Sequence, residues 1–266
     1  MRDNATHHQG GLIVTRRQGI NIVSTPCCGR LYSTSTYVSL NFSAFERWTD
    51  GHTVGSLIPP GEGLRRCSCG YYYLLSEAKQ VTWVPDPPAQ PAQRASLWES
   101  LQRVFARPSR IQRSHDLNEQ DAGLPERARH VHDHQLENVI RISQGNVEVE
   151  LVARRRYWRM LNEPYRQLYR EYEKKPEGTP PVFTPSLIQI ENMKSMIEIN
   201  SRSKIIDWVE VAELYRQLGE FEASIKTLEG RITSLGDIGL EVYNCSKKSI
   251  AYPRNLANID LVHPPI

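Results

Sequence analysis

The chain reads as an α+β protein: a small β-rich module, a proline-rich and polar connection, and then an α-helical bundle. Three observations predict this. Residues 10–85 mix β-branched and aromatic residues with Gly, Ser and Thr, the composition of short strands and turns. Four prolines fall within residues 85–91 and favour an extended spacer. From residue 136 onward, apolar residues recur mostly at steps of three and four, the period of a helix with one buried face. At 266 residues, 39% of them apolar, the chain can build one large domain or two small ones.

Taken in order, residues 12–14, 20–23 and 37–45 are strand candidates. Trp48-Thr49-Asp50-Gly51 is a turn, because Asp-Gly tolerates positive φ. A further short strand ends at residues 57–61, and residues 71–75 and 81–84 complete a module over 10–85. Residues 86–135 are a linker. Within it Ser96, with Glu99 three residues on, caps a short helix over 96–106. The helical domain spans 136–250. Val149, Val152, Trp158, Leu161, Tyr165, Leu168 and Tyr172 mark its first helices. Asn162-Glu163-Pro164 divides them, with Asn162 capping a second helix that ends near Lys174. Further helices are expected over 185–199, over 207–218 and 220–233 as a pair split at Gly219, and over 237–249. Residues 251–266 form a tail.

A net charge of +3 does not by itself imply a nucleic-acid partner. No run of about 18 apolar residues suggests a membrane span, and the opening MRDNATHHQGG has no secretory apolar stretch. The expected location is therefore the cytoplasm, where thiols stay reduced.

Four of the five cysteines sit in two short stretches, TPCCG at 25–29 and RCSCGYYY at 66–73. Each ends in Cys-Gly, with Tyr32 and Tyr73 following. Clustered cysteines in a reducing compartment more often hold metal than each other. Buried inert thiols or a disulfide are the other two readings. The pattern resembles a zinc ribbon, in which two Cys-Gly turns supply four thiolates to a structural zinc. It departs from the usual Cys-x-x-Cys, because Cys27 and Cys28 are adjacent and only Ser68 separates Cys67 from Cys69. The resemblance implies Cys27, Cys28, Cys67 and Cys69 as ligands, with His52, His7 or His8 as substitutes for Cys27. A small β module buries little core, and a metal would supply folding energy.

Residues 208–231, WVEVAELYRQLGEFEASIKTLEGR, place Trp208, Val211, Ala212, Tyr215, Gly219, Phe221, Ser224 and Leu228 where large and small residues alternate between two packed helices. This resembles a single tetratricopeptide repeat, which implies a protein-binding scaffold, with Trp208 and Tyr215 as contact candidates. An ordinary helical hairpin fits the same residues. The combination resembles uncharacterised bacterial proteins that pair a zinc ribbon with such a repeat.

Arg154, Arg155 and Arg156, beside Tyr157 and Trp158, could grip phosphates, and Arg94, Arg103, Arg107, Arg110 and Arg113 add to a basic middle region. His130, His132 and His134 alternate and could hold a metal, although a solvated connector reads the same way. Cys245 is isolated and expected inside a helix. No phosphate loop, nucleophile elbow or H-E-x-x-H motif occurs. The expectation is a non-enzymatic, zinc-binding interaction scaffold or adaptor acting through its helical domain. A nucleic-acid-binding zinc ribbon is the alternative, and a histidine-dependent metalloenzyme comes third.

Overall fold

The computed structural model describes residues 16–39, 43–56, 63–86, 123–143, 145–177 and 179–256. The helix expected over 96–106, the strand expected over 12–14, His7, His8 and the five arginines from Arg94 to Arg113 lie outside these residues. The described strands are β1 (Arg16–Ser24), β2 (Leu31–Ser39), β3 (Ser43–Arg47), β4 (Thr53–Ser56), β5 (Leu64–Arg66), β6 (Tyr72–Leu74), β7 (Lys79–Pro85) and β8 (Arg129–His130). They form three small antiparallel sheets, ordered β2-β1-β7, β3-β4 and β6-β5-β8. Helices follow: α1 (Leu136–Ile142), α2 (Val147–Lys174), α3 (Leu187–Asn200), α4 (Trp208–Gln217), α5 (Phe221–Glu229) and α6 (Asp237–Lys247). The α+β class expected from the sequence is the one observed. None of the described helices is long and apolar enough to cross a membrane.

Strand register places the cysteines. Ser24 of β1 pairs with Leu31 of β2, so residues 25–30 form a hairpin turn. Arg66 of β5 pairs with Tyr72 of β6, so residues 67–71 form another. The stretch 37–45, expected as one strand, contributes to two described strands in different sheets: β2, which starts earlier at Leu31, and β3, which starts at Ser43. The turn expected at Trp48–Gly51 is present, closed by Gly51 N–H donating to Trp48 O at 2.9 Å.

The connector expected to run to residue 135 is structured over its last part. Arg129 and His130 add a strand to the free edge of β5, and Ser33 bridges Arg127. Beyond them Val131 enters a core with Leu64, Tyr72, Leu136, Val139, Val149, Ala153 and Tyr157. This core is shared by the β6-β5-β8 sheet and helices α1 and α2. Its strand residues come from the cysteine-bearing hairpin itself.

Helix α2 runs unbroken through Pro164 for 28 residues, so the expected division at Asn162 is not observed. A proline inside a helix removes one N–H and crowds the carbonyl four residues back, here Met160. The carbonyls on either side of that gap find extra donors. Arg159 O accepts from Arg166 Nη2, and Leu161 O accepts from Gln189 Nε2 at 3.1 Å. Asn162 does not cap. It is fully buried and donates to Asp50 Oδ2 at 3.0 Å and to Gln217 Oε1 at 3.2 Å.

Those bonds belong to a buried polar network that fastens the β3–β4 turn to the helices. Asp50 pairs with Arg166 at 2.5 Å, both side chains nearly inaccessible. Thr49 donates to Glu213 Oε1 at 2.9 Å, and Glu213 pairs with Arg216 at 2.5 Å. Arg216 also donates to Ile250 O at 2.5 Å and Tyr252 O at 2.8 Å, tying down a segment expected to be a tail. Buried charges persist only when paired and hydrogen-bonded, and both ion pairs meet that condition.

Helix α3 begins at Ser186, whose side chain accepts from Gln189 N–H in a capping box. Helix α4 is capped by Asp207. The α4–α5 hairpin turns at Gly219, φ +80°. Ala212 and Leu228 pack with Val242 of α6, and Ser224 meets Ser246 at 2.7 Å. Small residues therefore stand where these three helices approach.

Candidate metal centre

The two cysteine turns face each other. In the first, Thr25 N–H donates to Arg30 O at 3.0 Å and Gly29 N–H donates to Thr25 O at 3.1 Å. In the second, Cys67 N–H donates to Tyr71 O at 2.8 Å and Gly70 N–H donates to Cys67 O at 3.0 Å. Gly29 and Gly70 both have positive φ, +68° and +92°, a conformation that glycine adopts without the Cβ penalty. This is why a Gly follows the last cysteine of each turn.

All four sulfurs lie within 4.8 Å of one another. Cys27 Sγ is 3.4 Å from Cys69 Sγ, Cys28 Sγ is 3.5 Å from Cys67 Sγ, and Cys27 Sγ is 3.8 Å from Cys28 Sγ. The adjacent cysteines do point both sulfurs into one cluster. All four cysteines are free thiols, and these separations far exceed the ~2.05 Å of a disulfide bond. The set could hold a metal ion, with each residue offering one sulfur.

Two side chains support the sulfurs. Thr25 is buried, and its hydroxyl lies 3.6 Å from Cys28 Sγ and 4.0 Å from Cys67 Sγ. It offers the sulfurs a hydrogen bond rather than a ligand. Tyr32 is fully buried. Its hydroxyl accepts from Ser68 N–H at 2.9 Å and lies 3.7 Å from Cys67 Sγ. Arg30 reaches across to Ser68 and joins the two turns from outside.

These contacts separate the thiols. Burial raises Cys67, but hydrogen bonds from the Cys69 backbone and side chain, Tyr32 and Cys28 outweigh it and bring the thiol down to about 6. Cys28 is also lowered, chiefly by Thr25 and then by the Arg30 backbone. Cys27 goes the other way, pushed up to about 12 by burial and by hydrogen bonds with the other three cysteines, against the lowering effect of Thr25. The cluster thus favours thiolate at some sulfurs and thiol at others. A divalent cation at the centre would favour thiolate at all four.

The other candidates fall elsewhere. His52 is on the β3–β4 side of the molecule, 3.9 Å from Glu163, and does not join the sulfurs. His132 and His134 stack ring on ring at 5.7 Å, and Asp133 between them pairs with Arg156 at 2.6 Å. Among the described residues, no group of three or more His, Cys, Asp and Glu side chains other than the cysteine tetrad gathers its ligand atoms. Cys245 is buried in α6, as expected, and donates to Glu241 at 3.1 Å.

The three arginines are bound internally. Arg154 pairs with Glu150 at 2.9 Å, Arg155 with Glu210, and Arg156 with Asp133. They tie α2 to its neighbours, and their guanidinium charges meet carboxylates. Trp208 is 39% exposed, with the Arg231 guanidinium 4.1 Å from its ring centroid. Tyr215 is half-buried.

Thr25 and Tyr32 are the supporting residues least visible in the sequence. The signal for Tyr32 is its position after Cys28-Gly29, and for Thr25 its place in the turn. No protein-family model, curated protein or solved structure matches the chain.

Proposed function

We propose that this protein is a zinc-stabilised interaction scaffold: a closed four-cysteine zinc site locks two β-hairpin turns, and the helical half presents a surface to a protein partner. The observation that carries the metal half is the sulfur geometry. A tetrahedron of thiolates about 2.3 Å from zinc has edges of about 3.8 Å, and the cross-turn and adjacent separations are 3.4, 3.5 and 3.8 Å. Four sulfurs complete the coordination, which suits a structural ion and leaves no open position for substrate. The two turns then serve as the ribbon's knuckles. A reducing, cytoplasmic setting suits thiolates that must stay free to ligate.

The partner half rests on the α4–α5 hairpin, read as a tetratricopeptide-like unit. Ile205, Trp208 and Ile232 are large apolar side chains left exposed near the N-terminus of α4 and the C-terminus of α5, and Arg231 stacks on Trp208. Exposed aromatic and Arg pairs are the residue types that anchor protein interfaces. Arg154, Arg155 and Arg156 pair with carboxylates of the chain itself, which favours a protein over a nucleic acid as the partner of this face. Affinity capture with the wild-type chain and with Trp208→Ala, at equal zinc content, tests the reading. It expects a specific protein captured by the first and lost by the second. Identical capture by both, or salt-sensitive retention of generic DNA or RNA, would sink it.

A further inference from the structure

We infer that the cysteine tetrad is also an oxidation site, which peroxide converts into two cross-turn disulfides, Cys27–Cys69 and Cys28–Cys67, with release of the metal. This rests on the zinc reading for the release and on the sulfur positions for the pairing.

The pairing follows from distance and backbone. Two close sulfur contacts cross between the turns, Cys27 to Cys69 at 3.4 Å and Cys28 to Cys67 at 3.5 Å. The adjacent pair Cys27 and Cys28 is farther apart at 3.8 Å. Closing a bond between neighbours would also force the intervening peptide out of its planar trans form. The two cross-turn pairs use each sulfur once, so both bonds can form in one molecule.

Access sets the order of events. Cys27, Cys28 and Cys69 are exposed, whereas Cys67 is buried. An exposed thiolate such as Cys28 attacks one peroxide oxygen. The O–O bond breaks, the sulfur becomes a sulfenic acid, and the departing hydroxide takes a proton to become water. Cys67 then attacks the Cys28 sulfur. The S–S bond forms, and the displaced hydroxide leaves as a second water. Two sulfurs lose two electrons and one peroxide gains them. Cys27 and Cys69 repeat the sequence with a second peroxide. Zinc keeps its charge throughout and leaves because disulfide sulfur is no longer an anionic ligand. Cys245, buried and hydrogen-bonded to Glu241 at 3.1 Å, stays a thiol and serves as an internal control.

The test uses the full zinc-loaded chain and a few equivalents of hydrogen peroxide. Released zinc is followed with a chromogenic chelator, thiols are counted in denaturant, and bonds are mapped by fragmentation mass spectrometry. About one zinc per chain should be released. The five free thiols should fall to one, at Cys245, and the bonds should be 27–69 and 28–67. Dithiothreitol with added zinc should restore the starting state. Zinc retained with all five thiols intact, or bonds formed within a turn, would overturn the inference. Protein that purifies without metal yet forms the same two bonds would sink the zinc reading and leave the pairing standing. Protein that holds zinc and resists peroxide would do the reverse.

Discussion

Tyr32 joins the two cysteine turns through one hydroxyl, accepting from Ser68 N–H and reaching Cys67 Sγ. Tyr32→Phe keeps the buried ring and removes only that oxygen. Losing this part-buried hydrogen bond costs about 1 kcal/mol, and loss of a group that orients a ligand typically lowers metal affinity about 10–100-fold. Chelator competition and urea denaturation read the two effects, and a variant matching wild type in both would contradict the role. The same sulfur sets a pH dependence. Cys67 is lowered to about 6, below the ordinary thiol value of about 8.5. A lowered value means the folded state prefers thiolate. That preference contributes in full above the unfolded value and is lost as pH falls through about 6. Zinc retention should also weaken in acid, because protons compete with the metal for all four thiolates. Equal retention at pH 7 and pH 4.5 would contradict it.

At the scale of elements, buried charge pairs and the fully buried Trp48 ring hold the β3–β4 hairpin to α2. Its turn lodges Asp50 against Arg166 and Asn162, and its strand residue Glu46 meets Arg170 at 2.8 Å. The Arg170 hydrogen bonds hold Glu46 below the usual carboxylate range. Asp50→Ala leaves the buried Arg166 guanidinium without its principal partner and should cost about 3–5 kcal/mol. Chemical denaturation measures this, and a loss below about 1 kcal/mol would show that the network does not carry the hairpin. Little of this was legible beforehand. Trp48-Thr49-Asp50-Gly51 reads correctly as a turn, but turns of polar residues usually face water, and only the helices decide that this one does not. Strand β8 is two residues long and exists because β5 has a free edge. The continuity of α2 through Pro164 depends on donors from Arg166 and from Gln189 of another helix. The cysteine turns were legible because their information is local: a Cys-Gly pair at positive φ needs no distant partner to be recognised.

For the whole molecule, the cysteine cluster and the helical half are not independent. Leu64 and Tyr72 of the β5–β6 hairpin pack in one core with Val149, Ala153 and Tyr157 of α2, while the turn between those strands carries Cys67 and Cys69. Whatever fixes the turns therefore also fixes the sheet on which α2 rests. The order of parts along the chain, β-rich and then helical, could be read from periodicity. Their shared core could not, because residues 126–135 look like a polar connector until β5 and α2 are in place. Zinc held by the four cysteine sulfurs is the central proposal for this protein. Elemental analysis combined with zinc X-ray absorption on the purified chain tests it most directly. The expected result is about one zinc per chain bound by four sulfurs at about 2.3 Å, lost in Cys69→Ser. A folded chain free of metal, or zinc bound by nitrogen and oxygen, would contradict it.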